Sequence, residues 1–295
     1  MRVAVTGGSG FIGSVVIASM AGAGHAITAL VRPESRRDHI EPYVDRFVVG
    51  EHDDESAWSE LLDGTDVVVH MSVDWQALRS GDEHRHLRSN LLGSIRLLHA
   101  SRPRPFVYMS SIAVHHDMRP RWKGVIDEDH PLRPSGAYGA HKAAVEAHLW
   151  SEHFAHNRYT AALRPCAVYG IDPVISRSHG YEIIRALRSG QKVDRPGGGK
   201  FVHVDDVAAV TLAAVEGRAA AGFPINLADC YARWSDWAVI AASELGLDIP
   251  IEHVSPPVPR NEFTKDAAAA LGVPLDRGHE GIREHVRELI ARMDS

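Results

Sequence analysis

Near the start of the chain, Thr6-Gly7-Gly8-Ser9-Gly10-Phe11-Ile12-Gly13 carries two overlapping glycine spacings, Gly8-x-Gly10-x-x-Gly13 and Gly7-x-x-Gly10-x-x-Gly13. A side chain in such a loop would block the approach of a pyrophosphate to the backbone, and the last glycine lets the helix pack close to the strand. The helix that follows offers free N–H groups to the phosphates. In its strand–turn–helix context the loop predicts dinucleotide binding through Gly7, Gly10, Phe11, Ile12 and Gly13. The next apolar run ends Leu30-Val31-Arg32, where an acidic residue would bind the ribose 2′-hydroxyl of NAD. Arg32, with Arg36 and Arg37 close behind, suits a 2′-phosphate instead. The pattern leans to NADP and leaves NAD open, because Glu34 is nearby.

Three more residues have the types that hydride transfer needs. Ser110-Ser111 ends an apolar strand, and Tyr138 and Lys142 lie four apart on one face of a helix. A tyrosine has an ordinary pKa of about 10 and is a poor base at neutral pH. A lysine ammonium one turn away, or the positive ring of an oxidised nicotinamide, favours its phenolate. A serine hydroxyl on the neighbouring strand end is placed to hold a substrate oxygen.

Alternating elements must position these groups. Val3–Thr6, Ile27–Val31, Phe47–Val49, Asp66–Met71, Phe106–Met109 and Thr160–Arg164 read as strands. Helices fit the face Ile12, Val15, Val16, Met20, with Gly24 as a stop, then Asp82–Ala100 and Tyr138–His156. The continuous run Val67-Val68-Val69 suits a strand buried on both faces. The rhythm predicts an α/β fold, a doubly wound parallel Rossmann sheet with a small C-terminal substrate-binding cap. Residues 1–165 form the cofactor domain, with 201–248 returning to it. Residues 166–200 and 249–295 form the cap. A helix near Tyr181–Arg188, a strand at Phe201–Val204 and helices at Asp205–Glu216, Thr264–Leu271 and His279–Met293 complete the reading.

Composition narrows the function classes. The 295 residues are 44% hydrophobic and 24% charged, enough for a sizeable core, and the net charge of −6 argues against a nucleic-acid or anionic-lipid binder. The absence of a membrane-length apolar run and of a signal h-region, with only Cys166 and Cys230 present, predicts a cytoplasmic protein. The 19 histidines raise a metal question. There is no His-Glu-x-x-His, and His84-x-His86 and His115-His116 lack partners at ligand spacing, so no metal site is expected. Of the six tryptophans, Trp75 alone follows a cofactor strand, where it would wall a substrate pocket.

Together these motifs resemble the extended short-chain dehydrogenase/reductases, also called the NAD-dependent epimerase/dehydratase family. The resemblance runs through Asp66-Val67-Val68-Val69-His70-Met71, Asn90, Ser110-Ser111-Ile112-Ala113-Val114 and Tyr138-Gly139-Ala140-His141-Lys142. It continues through Arg164-Pro165-Cys166-Ala167-Val168-Tyr169-Gly170 and Phe201-Val202-His203-Val204-Asp205-Asp206-Val207. It implies that Ser111 is the catalytic serine, Tyr138 the acid/base, Lys142 the ribose-binding partner, and Asn90 a fourth member acting through a water. It also implies Glu51 and His52 beside the adenine, Met71, Ser72 and Val73 along the cofactor's middle, and Pro165 and Cys166 near the nicotinamide. A homodimer through the long helices near Asn90 and Lys142 is implied as well.

The departures shape the substrate expectation. His115-His116 stands where the family has Tyr-Gly, a position that suits substrate contact. No Asp-Glu pair follows Ser111, which disfavours dehydration. Gly170 is followed by Ile171-Asp172, Lys200 precedes Phe201, and residues 171 to 200 make a short cap for a nucleotide sugar. The sequence therefore points to an NADP-dependent interconversion of a carbonyl and a secondary alcohol on a small organic molecule. Alternatives are a nucleotide-sugar 4-epimerase with tightly held NAD and a non-catalytic cofactor-sensing regulator.

Overall fold

The computed structural model describes residues 1–115 and 124–294. Its first half alternates strands and helices, with only a short 3-10 turn between the second and third strands: β1 (Arg2–Thr6), α1 (Phe11–Gly22), β2 (Ala26–Val31), β3 (Arg46–Val49), α2 (Glu55–Leu62), β4 (Val67–His70) and α3 (Trp75–Ser80). Next come α4 (Glu83–His86), a π-helical turn (Leu87–Gly93), α5 (Ser94–Ala100) and β5 (Phe106–Met109). After β6 (Val125–Ile126) follow α6 (Ala137–His156), β7 (Thr160–Pro165), β8 (Ala167–Tyr169), α7 (Tyr181–Arg188), β9 (Gly198–His203) and α8 (Val204–Val215). The remainder holds β10 (Pro224–Leu227), β11 (Cys230–Arg233), α9 (Trp234–Glu244), β12 (Glu262–Phe263), α10 (Asp266–Ala269) and α11 (Gly278–Asp294).

Seven parallel strands form the main sheet, in the order β10-β7-β5-β4-β1-β2-β3. The order reverses at β1 and β4, which opens a crevice at their carboxyl ends. Alternate side chains feed two cores. Val67 and Val69 face α1 and α8 with Val16, Ile17, Met20, Val207 and Val210, while Val68 faces α2, α5 and α6 with Leu61, Leu97, Val145 and Leu149. This is the Rossmann arrangement expected from the continuous apolar strands.

Three features differ from the sequence reading. The helix expected over 82–100 is interrupted by the π-helical turn. There the Ser94 hydroxyl donates to the Asn90 carbonyl at 2.7 Å, and Asn90 is buried. Side-chain partners of this kind stabilise such a widened turn. The strand at Phe201–His203 lies in a second sheet, ordered β11-β9-β8, and β10 takes the edge of the main sheet. Pro224 opens β10, the position in a strand that tolerates a missing N–H. Finally, the stretch 201–248 divides. Helix α8 and β10 pack with the main sheet, whereas β9, β11 and α9 join α7 and α11 around Tyr169, Phe201, Trp237 and Leu289.

Candidate active site

The glycine loop turns sharply at the end of β1. Gly7 has φ +77°, and a Cβ there would lie 2.7 Å from the Ser72 nitrogen. A Cβ on Gly13 would lie 2.1 Å from the Gly7 oxygen. Both positions exclude a side chain, so the loop, β4 and α1 close on one another. On Gly10 a Cβ would meet only the Gly7 oxygen, at 3.4 Å. Gly10 also lacks a capping side chain, so the first N–H groups of α1 remain open to a ligand. These are the properties a pyrophosphate cradle needs. Beneath it, Thr6 Oγ1 and His70 Nδ1 are 2.6 Å apart, and His70 Nε2 is 2.8 Å from the Ser94 hydroxyl. Burial holds His70 well below its ordinary pKa, so it is a neutral strut.

The serine, tyrosine and lysine converge from different elements. Ser111 leaves β5 in an extended conformation and caps the short turn Ile112–Val114, accepting from the Ala113 N–H at 3.1 Å. Its hydroxyl donates to the Pro165 carbonyl at 3.3 Å. Helix α6 presses its first turn onto that segment. A Cβ on Gly139 would lie 2.1 Å from the Ala113 oxygen, so only glycine permits the approach that sets Tyr138 beside Ser111. Lys142 is fully buried and donates to the Met109 carbonyl at 2.6 Å. Its Nζ stands 4.4 Å from the Tyr108 ring centre and 5.8 Å from that of Tyr138. Burial brings the Lys142 pKa down to about 7, with Glu146 pulling the other way. Burial also raises the Tyr138 phenol, against the opposing hydrogen bond of Ser111.

A buried ion pair braces this group. Arg164 Nη2 lies 2.7 Å from Glu146 Oε2, and the Ser110 hydroxyl donates to Glu146 Oε1. The sequence marks Arg164 only as the start of a family-like motif and gives Glu146 no role. The i,i+4 spacing of Lys142 and Glu146 was the available signal, but the partner on β7 is a tertiary feature. Arg164 also donates to His115 Nε2 at 3.4 Å, and His115 Nδ1 is 3.2 Å from the Pro131 carbonyl. Burial and then Arg164 bring the His115 pKa down to about 4. The ring is neutral, carries its proton on Nδ1, and has both nitrogens engaged by protein. It offers a substrate its carbon edge rather than a hydrogen bond.

A cleft of about 710 Å³ joins most of the anticipated residues. The glycine loop with Phe11 and Ile12 forms one end, Met71 and Val73 the middle, and Ser111, Tyr138, Lys142, Pro165 and Cys166 the other. Trp75 stacks on Tyr138 at 5.1 Å, is half exposed and lies in the lining of the cleft. Ser72 contributes its backbone, 3.4 Å from Thr6 Oγ1. Other residues lie elsewhere. Asn90 accepts from the Asp74 N–H at 2.6 Å and spends its amide on the Asp74 carbonyl and His86 Nδ1, so its side chain clamps the loop before Trp75. Arg32 stands exposed beyond β2, 3.6 Å from Glu34, and Arg36 is held by Asp38 at 2.9 Å. Glu51 lies near Arg32, and its pKa is raised by burial against the pull of that guanidinium. His52 is buried, with Nε2 3.2 Å from the Ser89 carbonyl. Glu51, His52 and Asp53 bring ligand-type atoms within 4.8 Å of one another. His116 lies outside the described residues.

The family model described as "NAD dependent epimerase/dehydratase family" matches residues 3–228. The chain belongs to this family. A 4-hydroxy-2-methyl-3-oxo-4-farnesyl-3,4-dihydroquinoline-1-oxide ketoreductase from Stigmatella aurantiaca is 31% identical over 225 residues, 73% of this chain and 65% of that protein. A 3-diazoavenalumate denitrifying reductase from Streptomyces sp is 29% identical over 228 residues, 74% of this chain and 73% of that protein. Among solved structures, a UDP-galactose 4-epimerase superposes with TM-score 0.79 at 24% identity, covering 99% of this chain and 100% of that one. A UDP-N-acetylglucosamine 4-epimerase from Methanobrevibacter ruminantium M1 gives TM-score 0.81 at 21% identity, covering 99% of each. The two solved structures share the fold described above.

Proposed function

We propose that this protein is an NADP-dependent reductase that interconverts a carbonyl and a secondary alcohol on a small organic substrate. The observation that carries the reading is the convergence of Ser111, a neutral Tyr138 and the buried Lys142 at the open end of the cleft that begins at the glycine loop. The nicotinamide, when bound, supplies or accepts the hydride. Ser111 holds the substrate oxygen. Tyr138 donates its proton as that oxygen gains charge, and takes one back in the reverse direction. Lys142 lies where its ammonium stabilises the phenolate that forms. Trp75 and the carbon edge of His115 give the substrate an apolar wall.

The reductases among the relatives support this direction, and so does a tyrosine that starts protonated. Arg32 supports NADP: it is exposed just past β2, and its 3.6 Å contact with Glu34 is looser than the 2.9 Å pair that holds Arg36 to Asp38. Titration with NADPH and NADH tests the cofactor assignment. Arg32→Ala should weaken NADPH binding by about tenfold, the worth of one charge-assisted hydrogen bond, and leave NADH nearly unchanged. Equal affinity for the two cofactors, unaltered in the variant, contradicts it. A homodimer in the cytoplasm completes the proposal. Half-exposed Leu87 and Leu92 near Asn90 support the dimer.

A further inference from the structure

A second cleft, of about 450 Å³, opens beside the first and shares its Ile112 and His115 wall. It lies between β9 and the segment 255–263. Lys200 forms its polar end. The ammonium donates to Asn261 Oδ1 at 3.1 Å and stands 5.5 Å from the centre of the Phe263 ring. Among the described residues no carboxylate lines this cleft, and none pairs with Lys200. Glu262 is exposed and acts on Lys200 only at longer range. Arg260 adds a second cation to the lining. Pro256, Val258, Pro259 and Phe263 make up the apolar part, with the His115 carbon edge at the junction. The two hydroxyls in the lining are engaged within the protein: Tyr231 donates to the Pro256 carbonyl at 3.4 Å, and Ser255 accepts from the Gly197 N–H at 2.7 Å.

A part-buried ammonium whose direct partner is a neutral amide has lost water without gaining a counter-ion. Burial accordingly lowers its pKa. An incoming anion restores the missing charge with a short, strong hydrogen bond. A nucleoside diphosphate would also need donors and acceptors for its base and sugar; the Tyr231 and Ser255 hydroxyls already have protein partners, and Pro256 and Pro259 have no N–H to give. We propose that this second cleft receives the far end of the substrate, an apolar ring or chain bearing one carboxylate that pairs with Lys200. The inference rests on the reductase reading for which end of the substrate reacts. It adds the class: aromatic or otherwise apolar keto acids.

Calorimetry with the full chain and saturating NADP⁺ tests this, using 4-oxo-4-phenylbutanoate, its methyl ester and UDP as probes. The acid should bind about tenfold tighter than the ester, and Lys200→Met should erase that difference. Ester and NADP⁺ affinities in the variant show that it is folded. Equal binding of acid and ester to the wild type overturns the inference, as does an acid preference that survives Lys200→Met. UDP binding more tightly than the acid also overturns it. NADPH oxidation is followed in parallel. Lys200-dependent acid binding without turnover of any ketone defeats the reductase reading and leaves the cleft assignment standing. Turnover without acid preference does the reverse.

Discussion

Tyr138 begins the proposed reaction as a neutral phenol, and Lys142 as an amine poised near neutrality. Burial lowers the Lys142 pKa from 10.5 to about 7. The native protein therefore binds fewer protons than the unfolded chain between those two values, and stability rises with pH across that window. Below about pH 7 the lysine is protonated in both states and the cost of burying its charge is at its maximum. The cofactor-free protein should thus show a rising Tm from pH 7 towards 10, and Lys142→Met should flatten that rise. A wild-type profile with the slope of the variant would contradict the burial argument. Gly13 supplies a second test at this scale. Its missing Cβ sits 2.1 Å from the Gly7 oxygen, so Gly13→Ala must displace the phosphate loop. NADPH affinity should drop by more than about a hundredfold, the worth of two or more charge-assisted hydrogen bonds. Fluorescence titration measures it, and an unchanged Kd would show that the loop does not hold the cofactor.

Among the elements, the π-helical turn matters most for the site. It sets Asn90 against the backbone of Asp74, and Asp74 in turn caps α3 by accepting from Gln76 and Ala77. Asn90→Leu should leave the part-buried N–H and carbonyl of Asp74 without their side-chain partner, at up to about 1 kcal/mol each, and should let Trp75 drift from Tyr138. The expected result is a lower Tm with a KM that rises more than kcat falls. A fall in kcat alone would instead place Asn90 in the chemistry. This turn was not legible in the sequence, because Leu87, Leu91, Leu92, Ile95 and Leu98 keep ordinary helical spacing through it. The alternating strands were legible, since burial on both faces leaves continuous valines such as Val67–Val69. Ser111, Tyr138 and Lys142 were legible because each sits at an element end marked by local pattern. Glu146 with Arg164, and Gly139 against Ala113, depend on contacts between elements far apart in the chain. The edge strand β10 was hidden for a similar reason, as Phe201–His203 has the stronger strand pattern and pairs in the smaller sheet.

For the whole molecule, the histidines act through titration. Burial brings His115 and His285 down to about 4 and His141 to about 2, from an ordinary 6.5. Each is neutral in the fold and protonates readily once unfolded. The stability they confer is full above pH 6.5 and is lost as pH falls towards 4. Tm should decline between pH 6.5 and 5, before carboxylates such as Glu152, held at about 2 by Arg102, begin to protonate in the fold. A flat Tm over that interval would refute this. The central claim concerns the cleft between the main sheet and the smaller one, and the sharpest measurement is NADPH oxidation with a panel of apolar ketones, using wild type and Tyr138→Phe. Wild type should consume NADPH and form the alcohol. The variant should lose at least about a hundredfold in kcat while binding NADPH with unchanged affinity. Turnover at the wild-type rate in Tyr138→Phe, or a protein that oxidises no NADPH but carries bound NAD and epimerises a nucleotide sugar, would contradict the account.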